Sequence, residues 1–160
     1  MNTDTNLQKW LILFFRISMG WVFLSAGLRQ VPDSDWTAAG FMSRSDNFSA
    51  FFDLMSSPPF INLINVVVPW AHLLIGLAMI LGIGMRVSAV GGGLLMFLYY
   101  IPRFEFPDVI VEYHLVYTAI IIYLAAVRAG QIYGIESWVL EKSPLNGLFQ
   151  RNQWLREIVK

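Results

Sequence analysis

The sequence contains no cysteine and few charged side chains. Asp, Glu, Lys and Arg together make up 14% of its 160 residues, and the formal net charge is zero. Without thiols the chain has no disulfides, no dithiol redox chemistry and no cysteine-ligated metal. Without a basic excess it lacks the charge pattern of nucleic-acid binding, so we expect no nucleic-acid partner.

Motifs for several common chemistries are also missing. The sequence has no phosphate-binding loop, no metalloprotease helix and no nucleophile elbow. We therefore expect no metal site and no intrinsic cofactor, and any redox chemistry needs a group supplied from outside the chain.

Apolar residues dominate instead, at 56% of the sequence with 15% aromatics, which is typical of a membrane protein. Because a helix rises about 1.5 Å per residue and the bilayer core is about 30 Å thick, long apolar runs indicate membrane-spanning helices. The sequence predicts an all-α, integral membrane four-helix bundle forming one domain over residues 1–160, in contact with the lipid bilayer. The predicted spans are residues 10–28, 60–83, 87–101 and 109–127, followed by a cytoplasmic or interfacial tail at 128–160.

The connections predict further helices with one apolar face. Phe48, Phe51, Phe52 and Met55 recur at helical spacing, so we expect a helix lying on the membrane surface. A shorter helix is expected to start near Trp36, because the two residues before it can cap a helix. The tail predicts another surface helix on the apolar residues Leu145, Leu148, Phe149, Leu155 and Ile158.

Basic residues are distributed unevenly between the two sides of the predicted bundle. The side with both termini carries Lys9, Arg86, Arg128, Lys142, Arg151, Arg156 and Lys160, and the other side carries Arg29, Arg44 and Arg103. The positive-inside rule then predicts a multi-pass protein of the cell membrane with both termini in the cytoplasm.

Two ionisable side chains lie well within predicted spans, Arg16 in the first and His72 in the second. Such residues cost at least about 2.5 kcal/mol at a helix centre and are functional candidates. We predict that both bind a ligand. The alternative for Arg16 is a structural arginine satisfied by carbonyl groups, and for His72 a neutral histidine hydrogen-bonded within the bundle.

Glu112 and His114 lie at the start of the fourth span, with Tyr117 one turn below His114. A carboxylate and an imidazole can exchange protons with a ligand, so we predict that both are catalytic. On a regular helix they point to different sides, and the alternative is that they mark the membrane boundary. We further predict that Tyr117 and Trp36 bind the ligand, although tryptophan also belongs to interfacial belts. Haem held between the two histidines is disfavoured by a height difference of about 7 Å.

The sequence resembles the DoxX/DoxD family of small four-helix membrane proteins, which includes the membrane subunit of archaeal thiosulfate:quinone oxidoreductase. The resemblance spans about residues 15–138. It rests on R-I-S-M-G-W-V-F-L-S-A-G-L-R (16–29), D-W-T-A-A-G-F-M (35–42), G-L-A-M-I-L-G-I-G-M-R (76–86), E-Y-H-L-V-Y (112–117) and A-G-Q-I-Y-G-I-E (129–136).

The resemblance implies electron transfer to quinone, or sulfur redox partners, within a larger assembly. Family members commonly carry an acidic residue where this chain has His72, so Arg16 lacks the partner that the resemblance implies. We expect a subunit of a redox complex that binds a quinone or another small polar molecule in an outward-opening cavity lined by Arg16, Trp36, His72, Glu112 and His114. Expected partners are other membrane subunits or a second copy of the chain. The alternative is a non-catalytic structural or assembly subunit.

Overall fold

The computed structural model describes residues 5–45 and 47–142, together with the single positions 147, 151, 152 and 154. These residues form helices and, apart from one isolated bridge between Glu105 and Val109, no β-structure. The helices are α1 (Asn6–Gln30), α2 (Ala39–Met42), α3 (Ser49–Ser56), α4 (Phe60–Leu81), α5 (Met85–Tyr100), α6 (Tyr113–Ala126) and α7 (Glu136–Glu141). Short 3-10 turns follow α5 at Ile101–Arg103 and α6 at Ala129–Gln131.

Four of these helices, α1, α4, α5 and α6, form an up-and-down bundle. Helix α1, helix α4 and the segment Met85–Arg103 are each long and apolar enough to cross a membrane. The all-α membrane bundle predicted from the sequence is thereby confirmed. Helix α6 is apolar but has 14 residues, or about 21 Å of rise. It begins at Tyr113, later than the predicted start of the fourth span at Val109, because the Glu105–Val109 bridge and an extended Glu112 occupy the preceding residues.

The most extensive contact in the bundle is between α1 and α4, and it depends on glycine. A side chain at Gly27 would collide with the backbone of Leu73, and one at Gly76 with the backbone of Leu24. Small residues of this kind let two membrane helices approach closely, since van der Waals packing holds them together. Helices α5 and α6 form the second closely packed pair.

The two ends of the bundle differ. The end at which α1 and α5 finish and α4 and α6 begin is called the cavity end below, and the other is the opposite end. At the opposite end, α4 turns tightly into α5 through Gly82 and Gly84, both at positive φ, which suits glycine. The apolar core extends from that end to the cavity, where Phe23 and Met96 reach the cavity wall. Its buried residues are Ile12, Met19, Phe23, Ile75, Met79, Met85, Met96, Ile121, Leu124 and Ala129.

Residues 31–59 cross over the cavity end. The short helix expected near Trp36 begins at Ala39 instead, because Asp33 accepts a hydrogen bond from the Asp35 amide and holds this stretch in a turn. Helix α3 forms as predicted from its apolar spacing, but its buried Phe52 faces the bundle. The apolar tail residues expected to form a surface helix (145, 148, 149, 155 and 158) lie outside the described residues.

Candidate functional site

A cavity of about 590 Å³ lies within the cavity end of the bundle. Helices α1, α4, α5 and α6 form its walls, and residues 36–55 form its roof. Its size is within the range of small-molecule sites, which are mostly apolar with a few polar groups. The polar and aromatic side chains that line it are Phe23, Arg29, Gln30, Trp36, Thr37, Phe41, Phe51, Phe52, His72, Tyr99, Arg103, Tyr113, His114 and Tyr117.

His72 projects from the middle of α4 into this cavity and is 2% exposed. Its Nδ1 lies 2.8 Å from Oε1 of Gln30 at the end of α1. Because an amide oxygen is an acceptor, Nδ1 donates in this bond, and in the neutral ring Nε2 carries the lone pair. The ring also has a backbone hydrogen-bonding partner in Val68, one turn earlier on α4. With Nδ1 engaged by Gln30, Nε2 is the nitrogen that a molecule in the cavity can reach.

His114, in the first turn of α6, also lines the cavity and is 9% exposed. Glu112, two residues earlier, is the N-cap of the helix, with φ −125° and ψ 158°. Its Oε2 accepts from the backbone N–H of His114 and from its Nδ1, both at 2.8 Å. The extended N-cap therefore brings together two side chains that a regular helix would point apart. Glu112 itself is outside the cavity wall and acts on the site through His114.

Tyr99 of α5 connects the two histidines. Its ring stacks on that of His72 at 5.9 Å between centroids and 15°, and it contacts the ring of His114 at 5.6 Å. No described residue hydrogen-bonds to its hydroxyl group. Tyrosine is common near the ends of membrane spans, so the sequence pattern does not distinguish this cavity residue from an interfacial one. Tyr99 and Met96, three residues apart, share the face of α5 that lines the cavity.

The remaining predicted ligand-binding residues divide into two groups. Trp36 and Tyr117 line the cavity together with His72 and His114. Arg16 does not line it. The sequence also gave no indication of Gln30, whose role follows from a contact with His72 across two helices.

Arg16 lies at the opposite end, where it is 1% exposed. Its Nη1 donates to the carbonyl oxygens of Ala129 and Ile132 at 2.6 and 2.8 Å, and Nη2 donates to that of Tyr133 at 3.0 Å. The buried carboxylate of Glu136 also acts on this guanidinium electrostatically. The geometry is that of a structural arginine satisfied by carbonyl groups, and the acidic partner comes from the segment after α6.

Charged groups at the rim of the cavity form a small network. Nε of Arg103 lies 3.9 Å from Oε1 of Glu112, and its guanidinium lies 5.7 Å from the centre of the Tyr113 ring. Glu112 therefore joins the cavity histidine to an exposed arginine.

These groups suit a flat ligand with oxygen substituents. The cavity is lined by the imidazole rings of His72 and His114 and by three tyrosine side chains among apolar and aromatic residues, so ring stacking and hydrogen bonding can combine there. Among the described residues, no group of three or more His, Asp or Glu side chains has the spacing of a metal site.

Residues 11–101 match the family model described as DoxX. Neither the curated proteins nor the solved structures contain a match to this chain. The matched range covers α1 to α5, including Arg16, Trp36, His72 and Tyr99, and ends before Glu112 and His114. Since it covers more than half of the sequence, the resemblance noted from the motifs is confirmed: this membrane protein belongs to the DoxX family.

Proposed function

We propose that the protein is a membrane subunit of a redox complex and binds the ring of a quinone or quinol in the cavity. The observation that carries the proposal is the paired arrangement of His72 and His114. Each ring has its Nδ1 engaged by a neighbouring oxygen, so each directs Nε2 at a ligand. The cavity volume of about 590 Å³ suits such a ring.

His72, His114 and Tyr99 would hold the ring, with Phe23 and Trp36 among the apolar walls. A bound quinone would supply reversible uptake of two electrons and two protons. In the neutral state, Nε2 of His114 accepts a hydrogen bond from a hydroxyl group, and in the protonated state it donates one to a carbonyl group. Glu112 holds the imidazole ring of His114 in place and stabilises the positive charge that forms on it when Nε2 takes a proton.

The location and partners follow from the same proposal. Helix α1 begins and helix α6 ends at the opposite end, which we place in the cytoplasm by the positive-inside rule, so the cavity faces outward. Electrons must pass to or from another protein, because this chain has no redox group of its own. We therefore propose further membrane subunits, or a second copy of the chain, as partners.

The proposal is tested by purification in mild detergent, extraction of bound lipids and quinones, and identification of co-purifying subunits. We expect quinone to be retained by the wild-type protein. His72→Gln and His114→Gln should lose most of it, because glutamine cannot place the same ring nitrogen in the cavity.

A matched pair of tyrosine variants controls for general damage. Tyr99→Phe removes a hydroxyl group in the cavity, whereas Tyr123→Phe removes one from the exposed surface of α6. We expect weaker retention in the first and no change in the second. If the wild-type protein neither retains quinone nor binds added decylubiquinone, yet co-purifies stoichiometrically with other subunits, the non-catalytic structural role is correct instead.

A further inference from the structure

Two pairs of neighbouring helices, α4 with α5 and α1 with α6, are in less extensive contact than the other two pairs, and the line along which the helices of each such pair meet is called a seam below. Helices α4 and α5 are joined by the tight turn at the opposite end. Helices α1 and α6 are held there by the contacts of Arg16 with the segment after α6. Nearer the cavity end, the facing helices of each pair line the cavity from two sides.

The seam between α4 and α5 is covered by residues 31–59. Asn65 of α4 accepts from the backbone N–H of Ala38 at 3.0 Å. Nδ2 of Asn47 donates to the carbonyl oxygens of Ile101 and Phe104 after α5. The ring of Phe41 packs on Tyr99 with its centroid 5.0 Å away. The roof is thus fastened to both helices.

The seam between α1 and α6 has no comparable cover. In the described part of the chain, no hydrogen bond connects residues 31–59 to α6. Lining residues at the cavity end of both helices are exposed, namely Arg29 of α1 and Tyr113 of α6, and Arg103 lies over the Tyr113 ring. Ala26 and Val22, one and two turns before Arg29 on the same face of α1, also line the cavity.

We infer that the seam between α1 and α6 is a lateral portal through which the hydrocarbon chain of the ligand passes from the cavity into the lipid. The inference rests on the proposed function and adds the ligand class, a ring with a long apolar chain. The apolar chain of such a ligand is stable in lipid and needs none of the polar groups of the cavity, so only the ring has to be held inside. The chain therefore needs an apolar exit at membrane depth, and the seam provides one.

Ala26 is the residue at which the portal can be narrowed. It is half-buried, lines the cavity and has a small side chain. The Ala26→Phe variant would place a ring in the path of the chain while His72, His114 and Tyr99 keep their positions. Ala119→Phe is the matched control, because Ala119 is exposed on α6 and does not line the cavity.

The test measures the Kd of two probes for the purified protein in lipid nanodiscs. One probe is decylubiquinone and the other is the same ring without a chain. We expect Ala26→Phe to raise the Kd of decylubiquinone by about tenfold, and that of the tail-less ring by less than about twofold. Ala119→Phe should leave both values unchanged.

The outcomes distinguish an incorrect portal from a failure of ring binding in the cavity. If both probes bind the wild-type protein and Ala26→Phe affects neither, or affects both equally, the portal is refuted while ring binding stands. If neither probe binds the wild-type protein, the proposed function fails and the portal with it.

The absence of cysteine allows a second measurement. In the Ala26→Cys variant, decylubiquinone should slow alkylation by N-ethylmaleimide several-fold more than the tail-less ring does. In Ala119→Cys the two probes should act alike. Equal protection of the Ala26→Cys thiol by both probes would contradict the portal.

Discussion

The guanidinium of Arg16 donates a hydrogen bond of 2.6 Å to the carbonyl oxygen of Ala129, a residue 113 positions further along the chain. Two more carbonyl groups of the same segment, those of Ile132 and Tyr133, accept from the same side chain. Gly82 and Gly134 pack against it so closely that a side chain at either would collide with Nη1. One buried arginine therefore fixes the segment after α6 to α1 and to the turn after α4.

Replacement of Arg16 is expected to destabilise the opposite end of the bundle. Arg16→Lys keeps the charge but cannot donate to three carbonyl groups in this geometry, so it leaves buried acceptors without partners. We expect a loss of at least about 3 kcal/mol, seen as a lower Tm in detergent and as faster hydrogen exchange at residues 129–136. Arg29→Lys, at an exposed position, is the control and should leave both unchanged. A wild-type exchange rate in Arg16→Lys would contradict the structural role.

The contrast between Arg16 and His72 shows what the sequence can and cannot predict. Both were candidates because an ionisable group in an apolar helix needs a partner. The partners of Arg16 are backbone oxygens, and because every residue type carries one, the sequence does not mark them. They also belong to a segment that is far from α1 in the sequence, so helical spacing does not relate the two. The glycine-rich motif at 129–136 was recognised as part of the family pattern, but its contact with Arg16 is a tertiary one.

The bundle and much of the cavity were more accessible to prediction. Apolar runs are long enough to define the helices, and helical rise gives a height difference of about 7 Å between His72 and His114. Helical spacing did not predict the contact of Glu112 with His114, because it assumes a regular helix. Glu112 is the N-cap residue, and its backbone is extended. Tyr99 and Gln30 were missed because their roles arise from contacts between helices.

Helix packing between α1 and α4 should not tolerate a larger residue at Gly27. In Gly27→Ala the new methyl group would overlap the backbone of Leu73, which cannot move without shifting α4. We expect a loss of about 1–3 kcal/mol, measured as a lower Tm. Gly93→Ala is the matched control, because nothing lies within 4 Å of that position. Equal Tm values for the two variants would show that the helices do not pack as described.

Glu112 is expected to act as a positioning residue for His114. Glu112→Ala removes the helix cap and the oxygen bound to Nδ1, so we expect a stability loss of about 0.5–2 kcal/mol together with a raised Kd for the quinone ring. Glu112→Gln keeps an oxygen that can cap the helix and should recover most of the stability. Glu105→Ala, in the same connection and exposed, is the control. The role is refuted if Glu112→Ala binds the tail-less ring as the wild-type protein does.

The hydrogen bonds between α4 and the roof of the cavity, residues 36–55, lead to a separate prediction. Asn65 accepts from the N–H of Ala38 at 3.0 Å and donates to the hydroxyl group of Thr37 at 3.1 Å. Asn65→Leu removes both bonds while keeping a side chain of similar size, so residues 36–45 should exchange amide hydrogens faster. Asn62→Leu, at an exposed position of the same helix, should have no such effect. Unchanged exchange in Asn65→Leu would mean that the roof is held by its apolar contacts alone.

The hydrogen-bonding roles of the two histidines predict a preference for the reduced ligand. With Nδ1 donating to Gln30 and to Glu112, both neutral rings present an acceptor at Nε2, and a quinol has hydroxyl donors where a quinone has carbonyl acceptors. Each net hydrogen bond contributes about 0.5–1.5 kcal/mol, so we expect the quinol to bind roughly tenfold more tightly at a pH above that at which histidine is charged. Anaerobic titration with both forms of the tail-less ring measures this ratio, and its dimethyl ether, which has no donor, should bind no better than the quinone. Tighter binding of the quinone would show that the imidazoles donate at Nε2 and that their Nδ1 atoms are not held as the structure has them.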